Sequence, residues 1–178
     1  MSTTQSRLND FVITLANVNG TGSASANTLL MKSFFRMGIP VNGKNFFPSN
    51  IQGLPTWYEI RVSKDGYLAR SGQVDIMVAM NAQTYQEDLA KVRPGGTLIY
   101  DSTWPRNHVL VRPDIQILGI PLARMCNERF DNVRARILMK NMAYVGALAA
   151  LLEMDTEVIG KLVEETMQLG RMRELMSQ

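Results

Sequence analysis

One cysteine and one histidine are all that the 178 residues hold of the side chains most used for soft metals and covalent catalysis. Cys126, standing alone, excludes an internal disulfide and any iron–sulfur cluster ligated by this chain alone. Nothing beside it in "RMCNERF" supplies a base, so it reads as a small buried hydrophobe rather than a nucleophile. His108, in "STWPRNH", has no second histidine or carboxylate at a ligand spacing and reads as a surface loop residue. No metal site is expected, and neither a Ser/His/Asp set nor a P-loop is present. Long apolar runs are missing too: "AYVGALAALL" at 143–152 is about half of what a bilayer crossing requires. The opening "MSTTQSRLND" has no signal-peptide core. These absences point to a soluble protein of a reducing, cytoplasmic setting with no membrane partner. The 19 Lys/Arg exceed the 16 Asp/Glu by only +3, which implies no nucleic-acid partner. Repeats and low-complexity segments are absent.

The most local absence is acidic. From Phe11 to Tyr58 there is no Asp or Glu, whereas Lys32, Arg36 and Lys44 fall inside the window. Within it, "ANVNGTGSASANTLLMKSFFRMG" (16–38) sets two glycines and several hydroxyls between an apolar run and an amphipathic pattern.

The remaining 46% of apolar residues against 20% charged ones is ordinary globular usage, enough for one domain with a sizeable core. "FVITLANV" (11–18) predicts a buried strand. Leu29, Leu30, Phe34 and Met37 recur at helical spacing, with Gly38 as the stop. "NGKNFFPSNIQGLPT" (42–56) is too rich in Asn, Gly and Pro for a regular element. Strands follow at "WYEIRVS" (57–63), "VDIMVAM" (74–80), "TLIYDST" (97–103) and "IQILGI" (115–120), the last three expected in the core. "AQTYQEDLAKV" predicts a helix and "RPGG" a turn. A long helix is expected from about Val133 to Leu152, and a closing one begins at the cap Asp155. Strands alternating with helices give an α/β class: a Rossmann-like, three-layer α/β/α sandwich with a mostly parallel sheet. The whole of 1–178 is expected to be a single domain behind a flexible tail at 1–9. The helix segment "NMAYVGALAALL" (141–152) has too many apolar positions to hide under one sheet face. A partner or self-association is therefore expected there, with Glu153, Asp155, Glu157, Glu164 and Glu165 on the solvent side.

A glycine-rich turn between a buried strand and a helix leaves backbone N–H groups at the positive end of the helix dipole, where a phosphate can collect them. Gly20 and Gly22 allow close approach, and Thr21, Ser23 and Ser25 add hydroxyls; the same residues could also merely cap the helix. Ser25 stands where a dinucleotide fingerprint has its third glycine. Roughly 20 residues further on, where a nicotinamide dinucleotide site carries an acid for the ribose, the chain reads "IPVNGK". Asn42 and Lys44 suit a phosphorylated ribose, as in coenzyme A or NADP, better than free hydroxyls.

Six segments in order, "ANVNGTGSASANTLL", "FRMGIP", "FPSNIQGLPTWYEIRVS", "VDIMVAMN", "PGGTLIYDST" and "NMAYVGALAALLE", resemble the gamma domain of the 2-oxoacid:ferredoxin oxidoreductases. The likeness spans about residues 9–160 and is greatest to the N-terminal domain of the 2-oxoglutarate:ferredoxin oxidoreductase alpha subunit. The resemblance implies a gamma-type unit of a complex that decarboxylates a 2-oxoacid on thiamine diphosphate, passes electrons through an iron–sulfur cluster to ferredoxin, and makes an acyl-coenzyme A. Thiamine diphosphate and cluster would sit on partner alpha-type and beta-type subunits or domains. On the resemblance, coenzyme A would be held by Asn19, Gly20, Thr21, Gly22, Ser23 and Ser25, with Lys44 added as a binding residue from the charge pattern, and Asn50, Gln52 and Gly53 would border partner domains. Two features depart from the family: "VNGTGSAS" replaces a G-x-G-G-x-G loop, and the chain stops at Gln178 where a thiamine-binding domain usually follows. It is therefore expected to be a separate subunit or a fragment, without catalysis of its own. The alternatives are a structural assembly domain with an empty loop and an NADP-binding reductase domain.

Overall fold

A computed structural model describes residues 9–46, 51–67 and 72–176. The tail expected at 1–9 lies outside these apart from Asn9, whose carbonyl accepts from the Lys64 amide at 2.7 Å. Six strands form one sheet in the order β2-β3-β1-β4-β5-β6. They are β1 (Asp10–Val18), β2 (Val41–Phe46), β3 (Pro55–Ser63), β4 (Val74–Ala79), β5 (Val92–Asp101) and β6 (Gln116–Ile120). β1, β4, β5 and β6 pair in parallel, and β3 runs antiparallel to both β1 and β2. Only β3 opposes the rest, which is the mostly parallel α/β sheet the alternation predicts.

The pleat divides the core. Ile13 and Leu15 of β1, with Ile60, Ile76 and Val78, point to one face. There they meet α1 (Ser23–Arg36), α4 (Val133–Leu151) and α5 (Thr156–Met176) through Leu30, Phe34, Tyr144, Leu148 and Leu162. Ala16, Met77 and Leu98 point to the other face and meet α2 (Tyr85–Lys91) through Tyr85 and Leu89. Helices on both faces make the three layers. α1 stops as expected: the Gly38 amide reaches Phe35 O at 3.0 Å and the Ile39 amide reaches Phe34 O, with Gly38 at φ 75°. Asp155 opens α5, its Oδ1 accepting from the Glu157 amide at 2.9 Å. Among the described residues no helix is long and apolar enough to cross a membrane.

Four expectations need correction. Residues 42–46, assigned to an irregular stretch, belong to edge strand β2, because pairing along β3 supplies the ladder that their composition does not favour. "RPGG" is not a turn but an irregularity inside β5: the register shifts between Val74 and Ile76, and Gly95 at φ 75° sends its amide to Asp114 O at 2.7 Å. β6 is a half-exposed edge rather than a core strand. The short helix α3 (Leu122–Asn127) carries no sequence period long enough to reveal it.

The apolar excess of α4 is also resolved differently. Its C-terminal half is sunk among α1, α5 and the sheet, with Tyr144, Val145, Leu148 and Ala149 buried. Most of the exposed large apolar side chains are in its N-terminal half, Val133, Ile137, Leu138 and Met139, with Leu151 exposed at its C-terminal end. The acidic residues 153, 155, 157, 164 and 165 are exposed as expected, and Glu165 holds Arg36 through two bonds of 2.8 and 2.7 Å.

Candidate functional site: a glycine loop under helix α4

From β1 the chain turns through α1 to β2 on one side, and from β4 it turns through α2 to β5 on the other. β1 and β4 are parallel neighbours, so their carboxyl ends flank the point where the winding reverses, the place where an open α/β sheet leaves a crevice. Residues 19–22 lie at this point. Gly20 and Gly22 take φ 87° and 77°, a region that favours glycine. The Asn19 amide donates to Leu54 O at 2.8 Å, and the Gly53 amide donates to Asn19 O at 3.0 Å. Asn19 Nδ2 reaches Ile51 O at 3.3 Å. The Gln52 side chain lies against Gly20, where an added Cβ would come 2.6 Å from its Cγ.

The first residue outside α1 is Gly22, and no side chain caps the helix. Ser23 is buried and Ser25 exposed, but neither hydroxyl takes the capping role that was the alternative explanation for this stretch. The first-turn N–H groups are therefore left for an anion or for water.

α4 forms the roof. Asn132 caps it, accepting from the Ala135 amide at 3.0 Å. Asn141, buried in mid-helix, donates from Nδ2 to Thr21 O at 2.8 Å, and the Tyr144 hydroxyl donates to Asn27 Oδ1 at 2.8 Å. These two bonds clamp the helix to the loop and to α1. Burial raises the Tyr144 phenol above its usual range, and the neighbouring Asn17 amide opposes the rise. Between the loop and α4 lies an open cleft of about 410 Å³, with Gly20, Thr21 and Gly22 on one wall and Val133, Arg134, Ile137 and Leu138 on the other. A narrower pocket of about 120 Å³ adjoins it, sharing Thr21 and Ile137 and reaching Asn17, Met80 and Lys140. Asn17 is 3% exposed and its side-chain amide faces the Tyr144 hydroxyl. The loop side of the cleft thus offers backbone donors, and the α4 side offers apolar side chains together with the cation Arg134. Such a lining suits an elongated ligand with anionic and apolar parts.

Of the sequence-derived candidates, Asn19, Gly20, Thr21, Gly22, Ser23, Ser25, Gln52 and Gly53 come together in and around the loop. Asn50 lies outside the described residues. Lys44 is not brought to the loop: it pairs in register with Glu59, which pairs with Thr14, and this row faces away from α1. Its Nζ sits 5.6 Å from the Phe46 ring centroid. The cations of the cleft are Arg134 and Lys140, which sequence reasoning missed. The available signal was an asparagine interrupting an apolar pattern, at 17 in a strand and at 141 in a helix. His108 is exposed and Cys126 buried, as expected, and burial pushes the Cys126 thiol up.

Residues 12–174 match the family described as Pyruvate ferredoxin/flavodoxin oxidoreductase. Over 123 residues the chain is 29% identical to 2-oxoacid:ferredoxin oxidoreductase 2, subunit alpha, of Aeropyrum pernix, covering 69% of this chain and 19% of that protein. The chain thus spans about a fifth of the length of the relative it matches. Its fold is similar to the 2-oxoglutarate:ferredoxin oxidoreductase of Magnetococcus marinus, solved with 2-oxoglutarate, coenzyme A and succinyl-CoA bound. The TM-score there is 0.80 at 21% identity, over 92% of this chain and 28% of that one. It is also similar to the gamma subunit of a keto/oxoacid ferredoxin oxidoreductase from Geobacter sulfurreducens, with a TM-score of 0.68 at 19% identity over 86% and 84% of the two chains.

Proposed function

The chain belongs to the pyruvate ferredoxin/flavodoxin oxidoreductase family, and on that footing we propose that it is the gamma-type, coenzyme-A-binding unit of a 2-oxoacid:ferredoxin oxidoreductase. The observation that supports this most directly is the cleft between the uncapped start of α1 and the N-terminal half of α4. In this reading the diphosphate of coenzyme A lies on the N–H groups of residues 20–25, with Arg134 supplying the charge that the sequence alone assigned to Lys44. The exposed side chains of Val133, Ile137 and Leu138 cover the apolar parts of the ligand. Gly20 and Gly22 keep the backbone bare for the approach. Asn141 positions the loop by holding Thr21 O.

We take residues 1–178 as one such unit, acting on the acyl acceptor rather than on the 2-oxoacid. The 2-oxoacid is proposed to be 2-oxoglutarate, on the motif resemblance. When bound to alpha-type and beta-type partners, thiamine diphosphate would supply decarboxylation, and an iron–sulfur cluster the path to ferredoxin. This chain does not fit a cluster, since its single cysteine is buried. Among the described residues no three His, Cys, Asp or Glu side chains form a metal site either.

Calorimetric titration of the full chain with coenzyme A and with NADPH tests the reading. Coenzyme A should bind and NADPH should bind far more weakly. Tighter NADPH binding would favour a reductase domain, and binding of neither would leave an assembly domain with an empty loop.

A further inference from the structure

We infer that the outward face of α4 is the surface on which two copies of this chain pair, helix against helix and antiparallel about a two-fold axis at Gly146. The inference does not depend on the coenzyme A reading, since Val133, Ile137 and Leu138 on the loop side of the helix are no part of this face.

The first observation is composition. Met139, Ala143, Gly146 and Ala150 are spaced four, three and four residues apart, so they stack along one side of α4 over roughly 16 Å. The other side packs into the core through Tyr144 and Leu148. Gly146 and Ala150 are exposed, and open space surrounds Gly146. The solvent side of a surface helix ordinarily carries charge, yet no charged residue occurs between Asn141 and Leu152. Side chains this small let a second helix approach closely.

The second is shape. At the N-terminal end of the face an apolar groove of about 300 Å³ opens between α3 and α4, with Met125, Phe130, Met139 and Met142 on its walls. At the other end Leu151 is exposed. A two-fold axis at Gly146 carries Leu151 of each copy to the groove of the other, and methionine walls adapt readily to such a side chain.

The third is charge. The charged residues of α4 are Arg134, Arg136 and Lys140, all in its N-terminal half, whereas Glu153, Asp155 and Glu157 follow its C-terminal end and are exposed. None of these six is in an ion pair among the described residues. Antiparallel pairing sets Lys140 of each copy beside Glu153 of the other. A parallel pair would set cation on cation.

Sedimentation velocity of the full chain, from micromolar to millimolar concentration, tests the inference. Wild type should pass from monomer to dimer. Gly146→Glu sets like charges face to face at the axis and should stay monomeric throughout, with no fall in melting temperature because the position is open. Lys140→Glu should weaken the dimer about tenfold, since the axis repeats the lost contact, and adding Glu153→Lys in the same chain should restore it. A wild type that is monomeric at every concentration, or a dimer that Gly146→Glu leaves intact, would overturn the inference. Failure of the double charge reversal to restore the dimer would overturn the antiparallel arrangement.

Discussion

Gly22 carries two constraints at once. Its φ of 77° disfavours other residues, and an added Cβ would lie 2.5 Å from Leu138 Cδ2, on the helix that roofs the cleft. Gly22→Asp therefore sets a carboxylate where the phosphate must lie. Coenzyme A affinity should fall by about a hundredfold or more, since like-charge juxtaposition costs several kcal/mol. The double variant Gly22→Asp with Leu138→Ala relieves the contact and should regain melting temperature without regaining affinity. Recovery of binding in the double variant would mean that the clash, not the anion site, was responsible. Asp88 offers a second test, away from the cleft. It is fully buried, and accepts from Trp57 Nε1 and Thr84 Oγ1 at 2.7 Å each. Burial raises its carboxyl above the usual range, with the Trp57 and Thr84 bonds and Lys91 opposing. The fold thus favours the neutral acid. Its contribution is full below the unfolded value of about 3.9 and is lost as pH rises through the raised folded value. Asp88→Asn stays neutral, so its stability relative to wild type should improve from pH 3.5 to pH 7. Urea unfolding of both proteins across that range checks this, and a gap that shrinks with pH contradicts it.

At the scale of elements, β2 and α4 show where composition misleads. The "NGKNF" of β2 reads as a loop, yet Gly43 is required there by its neighbour: a Cβ would meet the Tyr58 hydroxyl at 2.1 Å and Met31 Sδ at 2.8 Å. Tyr58 crosses the strand at this point, its hydroxyl 3.2 Å from Met31 Sδ. Gly43→Ala should therefore destabilise by about 1–3 kcal/mol through overpacking, read as a lower melting temperature. Gly146→Ala, in α4 with open space around it, should stabilise by about 0.5–1 kcal/mol instead. Equal effects at the two positions would sink the distinction. α4 is apolar on nearly all sides because its two halves serve different surfaces. One side of the C-terminal half, Tyr144, Val145, Leu148 and Ala149, fills the core, and the N-terminal half reaches past it over the loop with Ile137 41% exposed.

For the whole molecule, the alternation of strands and helices was enough to give the layers, and the position of the glycines was enough to find the loop. Local period marks the buried face of α1, and an unbroken apolar run marks β1 as buried on both faces. Three things were not legible. The direction of β3 depends on pairing with β1 from Val18↔Pro55 to Asp10↔Ser63, far apart in sequence, which no local pattern records. Lys44 was placed beside the loop by distance along the chain, whereas the pleat turns it to the opposite face. Arg134, Ile137 and Asn141 lie more than 110 residues from the loop and reach it only because α4 packs across α1. A long helix with a buried asparagine gives no sign in sequence of which turn it will cover.

The central claim is that the bare N-terminus of α1 and the exposed half of α4 form one ligand site. Amide 1H–15N spectra of the full chain, recorded during titration with coenzyme A, test it most directly. The account predicts that the amides of Gly20, Gly22, Ser23 and Ala24 shift together with those of Val133–Leu138, along one saturation curve. Saturable binding that leaves the Gly20–Ala24 amides unmoved, with shifts gathered around Lys44 on the opposite face, would contradict it.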